Sequence, residues 1–216
     1  IRRHAEGLGE LREDSLRNFY IYRKENKGNR PVVQLDGHSD EVAFMVQAIR
    51  PDGNLRIIPL GGWVTSNVPA HKVWVRNALG EYIPGIVASK PPHYMTEAER
   101  KAPLVFENIT VDVGAVSKEE AENEFHIRIG EPVVPDVTFT YDEKHDLMVG
   151  KSFDCRLGCA SIVSTLRELQ GEELAVDVVG ACCSQEEVGT RGSQVTCRTV
   201  NPDIAIVFEG CPADDT

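Results

Sequence analysis

The chain has 216 residues, 41% of them hydrophobic and 26% charged, which is ordinary for a globular protein long enough to bury a core in one domain or two modest ones. Its formal net charge of −11 argues against a nucleic-acid-binding surface, because the phosphate backbone would be repelled. No apolar run approaches the ~20 residues of a membrane-spanning helix. The six cysteines form no Cys-x-x-Cys pair, so they read as buried thiols in a reducing, cytoplasmic compartment rather than as a zinc ribbon.

In chain order, residues 19–22 (Phe-Tyr-Ile-Tyr) read as a strand and residues 25–30 as a polar turn. Pro31-Val32-Val33-Gln34-Leu35-Asp36 is β-branched and bounded by a proline, the pattern of a short buried strand. It delivers Asp36, His38 and Asp40 to its carboxyl end. Residues 42–49 form a second apolar strand, and a tight turn at Pro51-Asp52-Gly53-Asn54 returns residues 55–58 as its hairpin partner. Gly61-Gly62 marks a break. From about Asn67 to Leu147, short strands (71–76, 81–88, 109–113, 132–139) alternate with turns. Pro84, Pro91, Pro92, Pro103, Pro132 and Pro135 fall in this stretch, which favours a small β-barrel or sandwich. Ser117-Lys118-Glu119-Glu120 has the form of a capping box opening a short helix.

After Gly150 the pattern becomes α/β. Cys159, Ile162, Val163, Leu166 and Leu169 recur at helical spacing over residues 158–170. Residues 174–182 form a central-strand run, 191–199 a further helix and 203–208 a third strand. Strands alternating with helices imply an α/β domain with a mainly parallel sheet. The expected division is therefore an α/β domain made of residues 1–66 and 149–216, interrupted by a β domain at residues 67–148.

In parallel sheets, sites form at the carboxyl ends of strands. Three acidic or imidazole clusters follow apolar runs: Asp36 to Glu41, Gln185-Glu186-Glu187, and Glu209. A fourth group, Asp154, stands at the mouth of the helix. They are far apart in sequence, so only the fold can assemble them. One histidine with several carboxylates suits zinc, cobalt or manganese, and a carboxylate can bridge two ions. Each residue also has a plain structural reading. Asp154 can cap a helix, His38 can be a satisfied core histidine, and Glu186 and Glu187 can both be solvated. Adjacent acids in a desolvated site repel unless a cation compensates, and a metal-bound imidazole usually gives its other N–H to a carboxylate such as Asp40. Glycosidase carboxylates flank a bond ~5–9 Å apart, which adjacent residues do not do. Neither a Gly-x-Ser-x-Gly elbow nor a phosphate-binding glycine loop is present. Cys155 has no flanking partner that would make it a nucleophile.

Five ordered motifs carry a resemblance: Asp36-Gly37-His38-Ser39-Asp40-Glu41-Val42, Gly61-Gly62-Trp63, Ser89-Lys90-Pro91-Pro92-His93, Gly150-Lys151-Ser152-Phe153-Asp154-Cys155-Arg156-Leu157-Gly158 and Gln185-Glu186-Glu187-Val188-Gly189-Thr190-Arg191-Gly192. With them the chain resembles the glutamyl (deblocking) aminopeptidases that form tetrahedral, self-compartmentalised particles, some of which carry an older cellulase label. The resemblance implies a cytoplasmic metallopeptidase domain interrupted by a small β-barrel used in assembly. Its substrates would be peptides, its quaternary state a homo-oligomer built from dimers, up to a dodecamer. It implies two divalent ions per full-length chain, zinc or cobalt first and manganese as a third candidate. By the resemblance, His38 and Glu209 hold the first metal, Asp154 bridges and Glu187 holds the second. Glu186 is the general base and Asp40 the acid that supports His38.

Two departures accompany it. The family has Asp, itself not a ligand, where Cys155 stands, and it supplies a further histidine ligand beyond Thr216. The chain therefore reads as a fragment with an incomplete second metal position. A non-catalytic subunit with an assembly role is the alternative, and a chelator-insensitive glycan hydrolase is a third reading.

Overall fold

The structure, a computed structural model, describes residues 1–213. The chain divides into two units, one formed by Ile1–Glu41 with the segment from Ser152 onward, the other by Val42–Lys151. The first unit opens with the short helix α1 (Arg2–Ala5) and strands β1 (Gly9–Glu13), β2 (Phe19–Arg23) and β3 (Val32–His38). The second unit holds β4 (Ala43–Ile49), β5 (Leu55–Leu60), β6 (Lys72–Arg76), β7 (Tyr82–Ser89), α2 (Glu97–Lys101), β8 (Ile109–Asp112), α3 (Lys118–Asn123), β9 (Pro132–Pro135) and a hairpin of β10 (Thr140–Asp142) and β11 (Leu147–Val149). The chain then returns to the first unit with α4 (Phe153–Glu168), β12 (Asp177–Cys183), α5 (Arg191–Val200) and β13 (Ile204–Val207).

The first unit is an α/β layer around a five-stranded mixed sheet of order β1-β2-β12-β3-β13. Its parallel part is the part that matters for a site. β12 runs parallel to β3 with Cys183 opposite His38, and β13 runs parallel to β3 with Val207 opposite Asp36. The carboxyl ends of β3, β12 and β13 therefore share one rim. β2 and β1 extend the sheet antiparallel on the other side. The helical periodicity read from the sequence corresponds to α4, which buries Cys159, Ile162, Val163 and Leu166 against Ile21, Leu35, Val178 and Cys182. Each of the Val, Leu and Ile side chains among them, taken from water, stabilises the fold by ~1.5–3 kcal/mol. Two glycines let α4 lie this close. A Cβ at Gly180 would stand 2.6 Å from Ile162 Cγ2, and one at Gly37 3.2 Å from the Gly158 backbone.

The second unit is a closed six-stranded barrel of order β4-β5-β8-β7-β6-β9. Alternate residues such as Phe44 and Val46, Leu55 and Ile57, and Val73 and Val75 fill it. Its start corrects the sequence expectation. β4 and β5 are barrel strands, so the unit begins at Val42 rather than near Asn67, and it ends at Lys151. The Gly61-Gly62 pair does not separate domains, because Trp63 stacks on Phe44 at 4.5 Å and its Nε1–H donates to the Ala43 carbonyl. α3 differs from the expectation in one detail. Ser117 Oγ accepts the Glu120 N–H as predicted, but the Glu120 carboxylate accepts the N–H of Val116, one residue before the cap. Reciprocal capping occurs instead at α2, between Thr96 and Glu99. Among the described residues no helix is long and apolar enough to cross a membrane.

Candidate metal centre

Strand alternation gives β3 two faces. Leu35 and Gly37 turn toward α4, while Gln34, Asp36 and His38 form a buried polar row on the opposite face. Burial obliges these groups to find partners. The Asp36 carboxylate accepts from Gln34 Nε2 at 2.6 Å, Thr196 Oγ1 of α5 at 3.2 Å and the Cys183 thiol at 3.1 Å. His38 ends the row, only 3% exposed. Its Nδ1 is buried without a hydrogen-bond partner, 3.6 Å from Asp40 Oδ1.

The loops at the rim bring the acids to that imidazole. Ser39 ties the end of β3 to the end of β12, its N–H and hydroxyl both donating to the Cys183 carbonyl. Gln185, in a left-handed conformation at φ 55°, turns the chain after β12. The N–H groups of Glu186 and Glu187 then both donate to the Asp40 carboxylate, at 3.1 and 3.2 Å. After β13 the Phe208 N–H donates to the Asp36 carbonyl and sets Glu209 at the rim. Asp154 and Cys155 have non-helical backbone within the first turn of α4, so Asp154 does lie ahead of the regular helix. A Cβ at Gly210 would stand 3.0 Å from Asp154 Cα, so the two segments meet closely.

All six residues singled out from the sequence are gathered here. His38 Nε2 lies 2.8 Å from Asp154 Oδ1, 3.6 Å from Glu209 Oε1 and 3.8 Å from Glu186 Oε2. Two donor sets have all their ligand atoms within 4.8 Å of one another: His38 with Asp154 and Glu187, and His38 with Cys155 and Glu209. A cavity of about 170 Å³, lined by Asp36, His38, Cys183, Glu186, Cys197 and Glu209 among others, adjoins the rim.

The electrostatics suit a cation. Burial by itself would lower the His38 pKa, but Asp154, Asp40, Glu209 and Glu186 outweigh it and raise it above the usual imidazole value. Burial, with Asp154, Asp40 and Glu186, raises the Glu187 carboxyl above its ordinary value against the pull of His38. The His38 shift registers the carboxylates crowded around one imidazole, and the Glu187 shift registers burial first and those same neighbours second; a divalent ion would relieve the crowding. The donor set of imidazole and carboxylates, with an orphaned buried Nδ1 facing Asp40, fits such an ion.

Three features of the site escaped the sequence reading. The Cys155 thiol joins a donor set, the buried row beneath His38 reaches Thr196, and a left-handed Gln185 aims the Glu186 and Glu187 amides. The first had a signal, since Cys155 adjoins Asp154. The other two depend on tertiary packing and backbone conformation that spacing does not encode.

The M42 glutamyl aminopeptidase family matches residues 18–216. The chain belongs to that family. The provisionally named aminopeptidase FrvX of Escherichia coli (strain K12) is 38% identical over 208 residues, which are 96% of this chain and 56% of FrvX. The glutamyl aminopeptidase of Lactococcus lactis subsp. cremoris (strain MG1363) is 31% identical over 205 residues, 94% of this chain and 57% of that protein. Among solved structures, the TET aminopeptidase from the marine sediment archaeon Thaumarchaeota archaeon SCGC AB-539-E09 superimposes with a TM-score of 0.92 at 37% identity. That match covers 99% of this chain and 60% of the other. This M42 chain thus spans a little over half the length of the curated relatives it matches, and its α/β layer and inserted barrel are the architecture it shares with the solved one.

Proposed function

We propose that the full-length protein is a metal-dependent aminopeptidase that removes N-terminal residues from peptides at a dinuclear centre. The observation that carries this reading is the convergence of four carboxylates on one buried imidazole at the shared rim of β3, β12 and β13. In this proposal His38 and Glu209 hold the first ion, Asp154 bridges and Glu187 holds the second. Zinc or cobalt are the leading candidates and manganese the next. Such ions, when bound, polarise the scissile carbonyl and lower the pKa of an attacking water from ~16 toward ~7. Glu186 takes the proton of that water and passes it to the leaving amine, a contribution of ~10²–10⁴-fold. Asp40 holds the Glu186 and Glu187 amides and stands beside Nδ1 of His38, fixing both the base and the ligand.

The assembly is proposed to be a homo-oligomer formed through the barrel unit, in a cytoplasmic setting. Exposed apolar side chains on its hairpin, Tyr141, Leu147, Met148 and Val149, support an assembly role. Six unpaired cysteines support a reducing compartment.

An aminoacyl-anilide panel on the full-length protein, with and without chelator, tests the activity. Hydrolysis should vanish on chelation, return with zinc, cobalt or manganese, and fail on N-acetylated substrates. Chelator-insensitive cleavage, or carbohydrate hydrolysis in its place, would overturn the reading.

A further inference from the structure

The second donor set contains a sulfur. Cys155 is fully buried, and its thiol donates to the Phe208 carbonyl at 2.9 Å. Gly158 makes the seat: a Cβ there would stand 2.6 Å from the sulfur. Sγ, a His38 ring nitrogen and a Glu209 carboxylate oxygen all lie within 4.8 Å of one another. A tetrahedral ion with ligands at ~2.0–2.3 Å keeps its donors ~3.3–3.8 Å apart, so small side-chain rotations inside that limit would let the three atoms share one ion.

We propose that Cys155 supplies a thiolate, alongside His38 and Glu209, to the first metal position, so that this chain selects a thiophilic ion such as zinc or cadmium over manganese. The proposal rests on the metallopeptidase reading above and adds a ligand to it. Thiolate is the ligating form, so binding breaks the S–H bond, forms a sulfur–metal bond and releases one proton per ion to solvent. The softer donor favours zinc and cadmium over manganese. The Phe208 carbonyl loses its S–H donor in the exchange.

The test is a Cd²⁺ titration of the full-length, reduced, metal-free protein followed in the ultraviolet. A thiolate-to-cadmium charge-transfer band should grow to saturation. It should survive removal of the two exposed thiols in a Cys197→Ser, Cys211→Ser double variant and be lost in Cys155→Ser. Cys155→Ser should also weaken Cd²⁺ binding at least ~10-fold, since even outer-shell changes cost that much. Stoichiometric Cd²⁺ binding without a Cys155-dependent band would leave the metal centre standing and overturn the sulfur ligand. No Cd²⁺ binding at all would overturn the metallopeptidase reading with it. If Cys155→Ser does not fold, cadmium NMR of the double variant decides, because a sulfur-ligated ion resonates well downfield of one held by nitrogen and oxygen alone.

Discussion

Oδ1 of Asp154 lies 2.8 Å from Nε2 of His38, although 116 residues separate them. Their meeting is set by α4, whose first turn reaches the end of β3 because Gly37 and Gly158 let the backbones approach. Asp154 itself is 60% exposed, so its carboxylate adds little to the fold. Asp154→Asn should change stability by no more than ~0.5 kcal/mol, while metal affinity falls by ~100-fold or more, beyond the range of outer-shell changes. Calorimetric metal titration beside urea unfolding measures both. Unchanged metal affinity would remove Asp154 from the ligand set.

Glu186 and Glu187 are neighbours in sequence with different expected duties. Glu186→Gln keeps size and hydrogen-bonding reach but cannot accept a proton. Turnover should fall ~10²–10⁴-fold with metal content unchanged by elemental analysis. Loss of an ion in Glu186→Gln would make it a ligand instead of the base.

Asp40 stands behind both glutamates. Each N–H bond to its charged carboxylate contributes ~1.5–3 kcal/mol, less where solvent reaches it. Asp40→Ala frees two amides and should destabilise the full-length protein by ~1–3 kcal/mol. Asp40→Asn retains an acceptor oxygen and should recover part of that loss. A thermal melt that is the same for Asp40→Ala as for the parent would show that the loop from Gln185 is held by other bonds.

Metal binding and metal-free stability should respond to pH in opposite directions. His38 has its pKa raised in the folded state. In the metal-free protein its contribution is full below the unfolded value of ~6.5 and is lost as pH rises through the folded value. An ion needs the neutral ring, so its affinity should decline as pH falls through that same folded value. The raised carboxyl of Glu187 extends the decline on the acid side. Competition with a calibrated chelator between pH 8 and pH 5, taken over roughly this window, reads the slope. A flat profile would exclude His38 as a ligand.

Much of this arrangement was written in the sequence, for reasons that also explain what was not. His38, the Glu186-Glu187 pair and Glu209 each follow an apolar run, and parallel pairing of β3, β12 and β13 puts those run ends on one rim. The mixed character of the sheet was not legible, because β2 has the same apolar texture whether it runs parallel or antiparallel to β12. β1 was missed because Gly9–Glu13 is mostly exposed and charged. The barrel boundary moved because an apolar strand such as β4 carries no mark of the sheet it joins. Trp63 closing on Phe44 is a tertiary fact.

Gly180 on β12 tests how tightly the α4 seat is specified. Gly→Ala in a strand ordinarily stabilises by ~0.4–1 kcal/mol through the unfolded chain. Here the new methyl would stand 2.6 Å from Ile162 Cγ2 and 2.9 Å from Leu166 Cδ1. Leu166 can rotate its far end away, but the Ile162 methyl is on a β-branched carbon in a helix and has little freedom. Overpacking costs ~1–3 kcal/mol, so the clash wins and Gly180→Ala should be destabilising overall. Because α4 carries Asp154, metal affinity should fall as well. Ile162→Ala opens space for the new methyl, so the double variant should be more stable than the sum of the two single losses predicts. Urea unfolding of the four proteins gives the coupling, and strict additivity would mean that α4 does not press on β12 at this point.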